Sequence, residues 1–185
     1  MKIDLWIQKI IENPELLEGF RIFPYRQEDA EALLSFFKEK AVQKLYVPGP
    51  EMPPIQSLSE LESLLAEWNS GTARLFTVWD ETGLVMLLNT DEIDLGARSC
   101  EIGYALIDPK RRGQGLGTRV LQAWIERLFD AGKMDSLWAR CIEGNEASIA
   151  LLKALGFEQV GCLRKLLCRE GQKLDLYLFQ RFAQK

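Results

Sequence analysis

The chain has 185 residues, 47% of them apolar and 10% aromatic, which is enough for one domain with a substantial core and removes disordered, fibrous and low-complexity classes. Acidic residues outnumber basic ones by 27 to 23, a formal charge of −4, which argues against a nucleic-acid binder and suits a cationic or neutral partner. There is no histidine, so Ser/His/Asp and Cys/His nucleophile systems and His-ligated metals are excluded, and no metal is expected.

Near the start, Ile3, Trp6, Ile7, Ile10 and Ile11 share one face of a helix over about residues 2–13, ended by Pro14; that face is expected to dock on the domain's own core. The beginning Met-Lys-Ile-Asp has neither the basic flank nor the apolar run of a secretory signal. No stretch approaches the roughly eighteen apolar residues of a membrane span, so a cytoplasmic location without membrane contact is the default. Phe20 to Pro24 reads as a strand, and Glu28-Asp29 opens a helix with Leu33, Phe36 and Phe37 inward. Four of the seven prolines crowd into Val47 to Ile55, a stiff exposed connection. Ser57 and Glu60 form a capping box for a helix carrying Leu61, Leu64, Leu65 and Trp68 on one face. Strands follow over Ala73 to Trp79 and Leu84 to about Thr90, around a turn at Asp80-Glu81-Thr82-Gly83.

The second half alternates more regularly. Cys100 to Ile107 is a strand, Pro109 to Gly117 a glycine-rich loop and Thr118 to Ala131 a helix. Leu137 to Ile142 is a strand and Glu146 to Leu155 a helix stopped by Gly156. Phe157 to Arg164 and Leu174 to Phe179 are strands around a turn at Gly171. The order is mixed α/β in one sheet, a single domain over 1–185, with no repeat or linker. Cys100, Cys141, Cys162 and Cys168 contain no C-x-x-C pair and read as reduced, buried or half-buried thiols.

The segment Asp108-Pro-Lys-Arg-Arg-Gly-Gln-Gly-Leu-Gly-Thr118 lies between a strand and a helix. Gly113, Gly115 and Gly117 let successive N–H groups turn into one concavity at a helix N-terminus, an anion site, with Lys110, Arg111 and Arg112 beside it. Thr118 stands where a Rossmann fingerprint needs glycine, and no Walker A loop occurs. Standing alone, the loop could equally be a plain turn with a solvated basic triplet.

It has company in sequence. Arg112-x-x-Gly115-x-Gly117 resembles the pyrophosphate loop of the GNAT superfamily of acyl-CoA N-acyltransferases, and Glu101-Ile-Gly-Tyr-Ala-Leu-Ile-Asp-Pro before it looks like that family's central strand. Asn145-Glu-Ala-Ser148, Leu-Gly-Phe157, Gly161-Cys-Leu-Arg164 and Gly171-x-x-x-Asp175 are similar to the RimJ/RimL branch of ribosomal-protein N-terminal acetyltransferases. The resemblance covers roughly Phe20 to Phe179. It implies a GNAT-like α/β fold: a central mixed, mostly antiparallel twisted sheet of about seven strands with helices on both faces.

The resemblance further implies acetyl-CoA as cosubstrate and a primary amine as acceptor, either a protein N-terminus or a small molecule, in a monomer or homodimer. Backbone N–H groups of Arg112, Gly113, Gln114, Gly115, Leu116, Gly117 and Thr118 would hold the pyrophosphate, with Arg111 and Arg112 contacting phosphate. The strand through Ala105, Leu106 and Ile107 would pair with the pantetheine arm, and Ala105 N–H would polarise the thioester carbonyl. Asn145 is a favoured helix cap and in the family also bonds pantetheine. Many members carry a tyrosine as acid for the thiolate at the position of Leu152; Ser148 could substitute, or no acid is required for a thiol of pKa near 8.5. Glu101 is either a polar residue alternating on a sheet face or the catalytic base, with Asp91, Glu92 and Asp94 as further acids and Tyr104 able to line the cleft. A different function class is a non-catalytic acyl-CoA sensor, made thinkable by Leu152, and a third is a nucleotide-binding module, which requires the loop to prefer dinucleotides.

Overall fold

The structure, a computed structural model, describes residues 2–40, 42 and 55–184. The proline-rich connection expected over 47–55 lies, except for Ile55, outside them. Eight strands form one sheet: β1 (Glu15–Leu17), β2 (Phe20–Pro24), β3 (Arg74–Asp80), β4 (Gly83–Asp94), β5 (Ser99–Leu106), β6 (Ser136–Ile142), β7 (Glu158–Arg169) and β8 (Gln172–Phe182). Their spatial order is β1-β2-β3-β4-β5-β6-β8-β7, antiparallel throughout except for the parallel β5/β6 pair. Seven of these strands were expected. The eighth, β1, has three residues after Pro14, too short to show an alternation of its own.

Among the described residues five α-helices cover the two faces: α1 (Ile3–Ile11), α2 (Ala30–Phe37), α3 (Leu58–Trp68), α4 (Leu116–Asp130) and α5 (Glu146–Ala154). Strand alternation decides which helices each face receives. Phe76, Val78, Met86, Leu88, Cys100 and Ile102 point to the side holding Trp6 and Ile10 of α1, Val120, Leu121, Trp124 and Leu128 of α4, and Leu152 of α5. Leu75, Leu87, Ala105 and Ile107 point to the opposite side, against Leu33, Phe36 and Phe37 of α2 and Leu61 and Leu65 of α3.

Local signals act as the sequence leads one to expect. Ser57 Oγ accepts from Glu60 N–H (3.3 Å) and the Glu60 carboxylate accepts from Ser57 N–H (3.0 Å), starting α3. The β7/β8 turn sits on Glu170 (φ +49°) and Gly171 (φ +78°), two consecutive left-handed residues as a tight hairpin of this hand requires. The N-terminal helix docks on the domain: Trp6 is fully buried and its indole N–H donates to Gly132 O at 2.7 Å, satisfying a carbonyl beyond the end of α4. Arg127 of α4 donates to Ile10 O (3.4 Å), Asn13 O (2.6 Å) and Glu15 O, fastening the chain between α1 and β1. Of the four cysteines, Cys100 and Cys141 are buried, Cys168 is half-buried and Cys162 is exposed, the last differing from expectation because it lies on the open face of the edge strand β7.

Candidate active site

The parallel pair β5/β6 is short. It runs through Ser99↔Ser136, Cys100↔Leu137 and Glu101↔Trp138 and then stops. Beyond that point β5 continues along β4 as far as Leu106↔Met86, while β6 continues along β8 as far as Ile142↔Leu176. The sheet therefore opens into a wedge with Glu101 at its apex. Backbone polar groups on a strand alternate between its two neighbours. Ile107 N–H donates to Val85 O at 2.9 Å, so in this regular register Ala105 N–H also lies on the β4 side, and Tyr104 and Leu106 turn their backbone groups to the wedge. Ala105 N–H, expected to polarise a thioester, is thus committed to the ladder side. Of the strand expected to pair with the pantetheine arm, Ile107 likewise has its N–H on the β4 side, and the side chains of Ala105 and Ile107 are buried against α2 and α3.

The glycine loop follows β5 directly. Asp108 caps a single 3₁₀ turn over Pro109–Arg111, its carboxylate accepting from Lys110 N–H at 2.9 Å. Gly113 (φ +73°) and Gly115 (φ +72°) are left-handed, and Gly115 is the N-cap of α4. The first helical bond runs from Arg119 N–H to Gly115 O, so the N–H groups of Leu116, Gly117 and Thr118 precede the ladder and point out of the helix start. A Cβ built on Gly113, Gly115 or Gly117 meets nothing within 4 Å; the loop is open on the side where a ligand would lie. Leu116 contributes only backbone, its side chain being core, and Gln114 turns back to donate to Lys110 O at 2.8 Å.

The basic triplet divides. Arg111 is not free for phosphate: it donates to Asp80 Oδ2 at 2.6 Å and to Thr82 Oγ1 at 3.2 Å, tying the loop to the β3/β4 hairpin. Despite partial burial, which opposes ionisation, the Arg111 guanidinium and the Thr82 hydroxyl and N–H hold the Asp80 carboxyl below its ordinary range. Arg112 lies against Leu106 O (3.5 Å) and Glu39 (3.6 Å) with its side chain largely in solvent. Of the two arginines expected to contact phosphate, Arg112 is the one in reach of the wedge.

Glu101 is 6% exposed and bound at both oxygens, by Arg140 Nε and Arg140 Nη2, each at 2.7 Å. Burial pushes its carboxyl above the ordinary glutamate range; the Arg140 hydrogen bonds and charge pull it back, while Asp91 and Glu92 on β4 add to the rise. Arg140 escaped sequence reading because it stands on β6 as one polar residue in a strand; alternation with Trp138 was the available signal, and the guanidinium lies over the Trp138 ring at 5.8 Å. On the other face of the wedge, Asn145 Oδ1 accepts from Ser148 N–H at 3.3 Å, capping α5 and leaving the amide nitrogen of the side chain outward. Ser148 Oγ lies 2.7 Å from the Tyr104 hydroxyl across the opening. Leu152 is wholly buried in the core. Glu101, Tyr104, Leu106, the glycine loop, Asn145 and Ser148 are brought to one opening.

Residues 20–158 match the acetyltransferase (GNAT) domain. The chain belongs to the GNAT acetyltransferase family. A ribosomal-protein-serine acetyltransferase of Escherichia coli (strain K12) is 30% identical over 111 residues, spanning 60% of this chain and 62% of that one, less than two thirds of its length. The RimL ribosomal-protein alpha-N-acetyltransferase, solved with coenzyme A, superposes at a TM-score of 0.78 with 20% identity, covering 91% of this chain and 97% of that one. A spermidine N-acetyltransferase from Vibrio cholerae, solved with coenzyme A and spermine, gives 0.77 with 18% identity, covering 90% and 96%. At these identities the two structures speak for the fold. This GNAT acetyltransferase is an N-acetyltransferase with the mixed sheet, helices on both faces and parted central strands described above. No described helix is long and apolar enough to cross a membrane.

Proposed function

We propose that this N-acetyltransferase passes the acetyl group of acetyl-CoA to a primary amine by direct attack within a ternary complex, with no acyl-enzyme. The observation that carries the reading is the wedge itself: strands that part at a buried carboxylate and lead to a glycine loop at a helix start. The residues suit the cosubstrate's chemistry. Outward N–H groups of Leu116, Gly117 and Thr118 and the Arg112 guanidinium suit a pyrophosphate. The Tyr104 backbone groups and the Leu106 N–H, which face the wedge, suit the amides of a pantetheine arm, as does the side-chain nitrogen of Asn145. When bound, acetyl-CoA supplies an activated acyl thioester.

Glu101 is the group placed to take a proton from the amine, which must be neutral to attack, and Ser148 the hydroxyl placed to donate a hydrogen bond to the departing sulfur. Tyr104 or Leu106 N–H replaces Ala105 as donor to the thioester oxygen. Asp91, Glu92 and Glu101 bias the opening toward a cationic acceptor. The RimL neighbour, an alpha-N-protein acetyltransferase, tilts the reading toward an α-amine, whose pKa near 8 leaves part of it neutral at pH 7, whereas a side-chain or polyamine nitrogen near 10.4 needs far more help.

Incubating the protein with acetyl-CoA and a panel of amines, among them peptides with free N-termini, spermidine and methionine sulfoximine, while following thiol release, tests the reading. Release that depends on one amine class supports it and names the acceptor. Coenzyme A binding with no amine-dependent release would favour an acyl-CoA sensor, the reading that Leu152 in place of a tyrosine recommends.

A further inference from the structure

A hydrogen-bond donor stabilises a leaving sulfur, and α5 offers one hydroxyl, Ser148, on its first turn. A serine hydroxyl is a rotor with a single hydrogen, and unless something fixes it, that hydrogen is shared among every acceptor in reach. The surroundings of Ser148 are well defined. Its N–H is held by Asn145 Oδ1 at 3.3 Å, so the backbone position is set by the cap. Its Oγ meets the Tyr104 hydroxyl at 2.7 Å, and the phenol hydrogen has a second, longer acceptor in the Ser148 carbonyl at 3.4 Å. Burial keeps the phenol protonated, and it keeps the neighbouring Cys141 sulfur, which also lies within hydrogen-bond reach of the Ser148 hydroxyl, a neutral thiol and so only a weak acceptor for the serine hydrogen. Tyr104 comes from β5, on the far side of the wedge from α5, so this pair crosses the opening that the parted strands leave.

We infer that Tyr104 is the positioning residue for the leaving-group step: its phenol donates to Ser148 Oγ, fills one acceptor position there, and leaves the serine's own hydrogen for the sulfur in the wedge. The inference rests on the reading of Ser148 given above. In the step itself the amine lone pair forms the C–N bond and the C–S electron pair departs on sulfur, which the Ser148 O–H stabilises by a hydrogen bond without giving up its proton. The thiolate, with an ordinary pKa near 8.5, then takes a proton from water, and the proton lost by the amine leaves through Glu101 to solvent. Neither Ser148 nor Tyr104 becomes an anion, so the buried phenol is never asked to ionise. Tyr104 thereby supplies, from the opposite strand and through a neighbour, the orientation of a donor that a tyrosine at the position of Leu152 would supply directly.

Three variants test this with the accepted amine: Tyr104→Phe, Ser148→Ala and the double substitution, each measured for kcat, for KM of acetyl-CoA and for thermal midpoint. The expected result is a kcat lowered about five- to tenfold by Tyr104→Phe with KM for acetyl-CoA nearly unchanged, as for loss of one oriented hydrogen bond. The double variant should be no slower than Ser148→Ala, because with the serine hydroxyl gone the phenol has nothing to orient. If Tyr104→Phe slows both backgrounds by the same factor, or lowers the midpoint with kcat intact, Tyr104 is merely structural and the inference falls while Ser148 keeps its role. If Ser148→Ala turns over like the wild type, the reading of Ser148 fails first and takes the inference with it.

Discussion

Because burial raises the Glu101 carboxyl and Arg140 restrains that rise, the pair sets the pH at which a base at the apex of the wedge becomes available. Glu101→Gln is expected to lower kcat by about 10² with acetyl-CoA binding little changed and part of the rate regained at high pH, where the amine deprotonates unaided. Replacing Arg140 by Gln removes the restraint. The acid limb of kcat should then move to higher pH, since the carboxylate form appears only above its raised pKa. A carboxyl raised in the folded state costs stability when ionised, so the variant should lose about 2–3 kcal/mol at neutral pH, allowing for the third of Arg140 that solvent reaches. The deficit should shrink as pH falls through the raised pKa toward the ordinary glutamate value; urea unfolding at several pH values checks it. Gly115→Val acts by conformation. At φ +72° with open space around a Cβ, the chain should fold with a penalty of about 1–2 kcal/mol, yet lose the thermal protection that coenzyme A gives the wild type.

At the scale of elements, the β3/β4 hairpin and the glycine loop form one unit through Asp80 and Arg111. Asp80→Asn should destabilise by about 1.5–3 kcal/mol and raise KM for acetyl-CoA, since the loop loses its lateral anchor. The Asp80 carboxyl is held below its ordinary range, so this contribution is complete above the ordinary aspartate pKa and fades as pH falls through the depressed value. The midpoints of variant and wild type should therefore converge in acid. This coupling also marks where the sequence could be read and where it could not. The loop's glycines declare left-handed backbone by residue type alone, and the helices α1 to α5 declare themselves by period and caps. Arg111 pairs with a residue of another element and Glu101 with Arg140 across two strands, and neither partner differs in type from an ordinary surface charge. The direction of Ala105 N–H depended on the phase of hydrogen bonding along β5, which side-chain alternation leaves open.

On the scale of the molecule, α1 is a lid on the main core. Trp6 fills the space between α1 and the end of α4 while Arg127 gathers one carbonyl of α1 and two of the segment that follows. Trp6→Ala should cost about 3–5 kcal/mol, read as a lower urea midpoint, while the folded fraction binds coenzyme A with unchanged affinity because the wedge is formed by other elements.

The three rungs joining β5 to β6 divide the sheet into two leaves on a short spine, β1 to β5 on one and β6 to β8 on the other. A page that opens so near its binding should breathe there first: the amide hydrogens of Tyr104 and Leu106, lacking a neighbouring strand, are expected to exchange with heavy water rapidly in the free protein. Laid between the leaves, coenzyme A would replace the missing rungs and slow both hydrogens, leaving those of Ala105 and Ile107, already on the β4 side, almost as they were. Hydrogen exchange resolved to single residues, with and without coenzyme A, would show this odd–even pattern along one strand, and equal slowing at all four positions would contradict it.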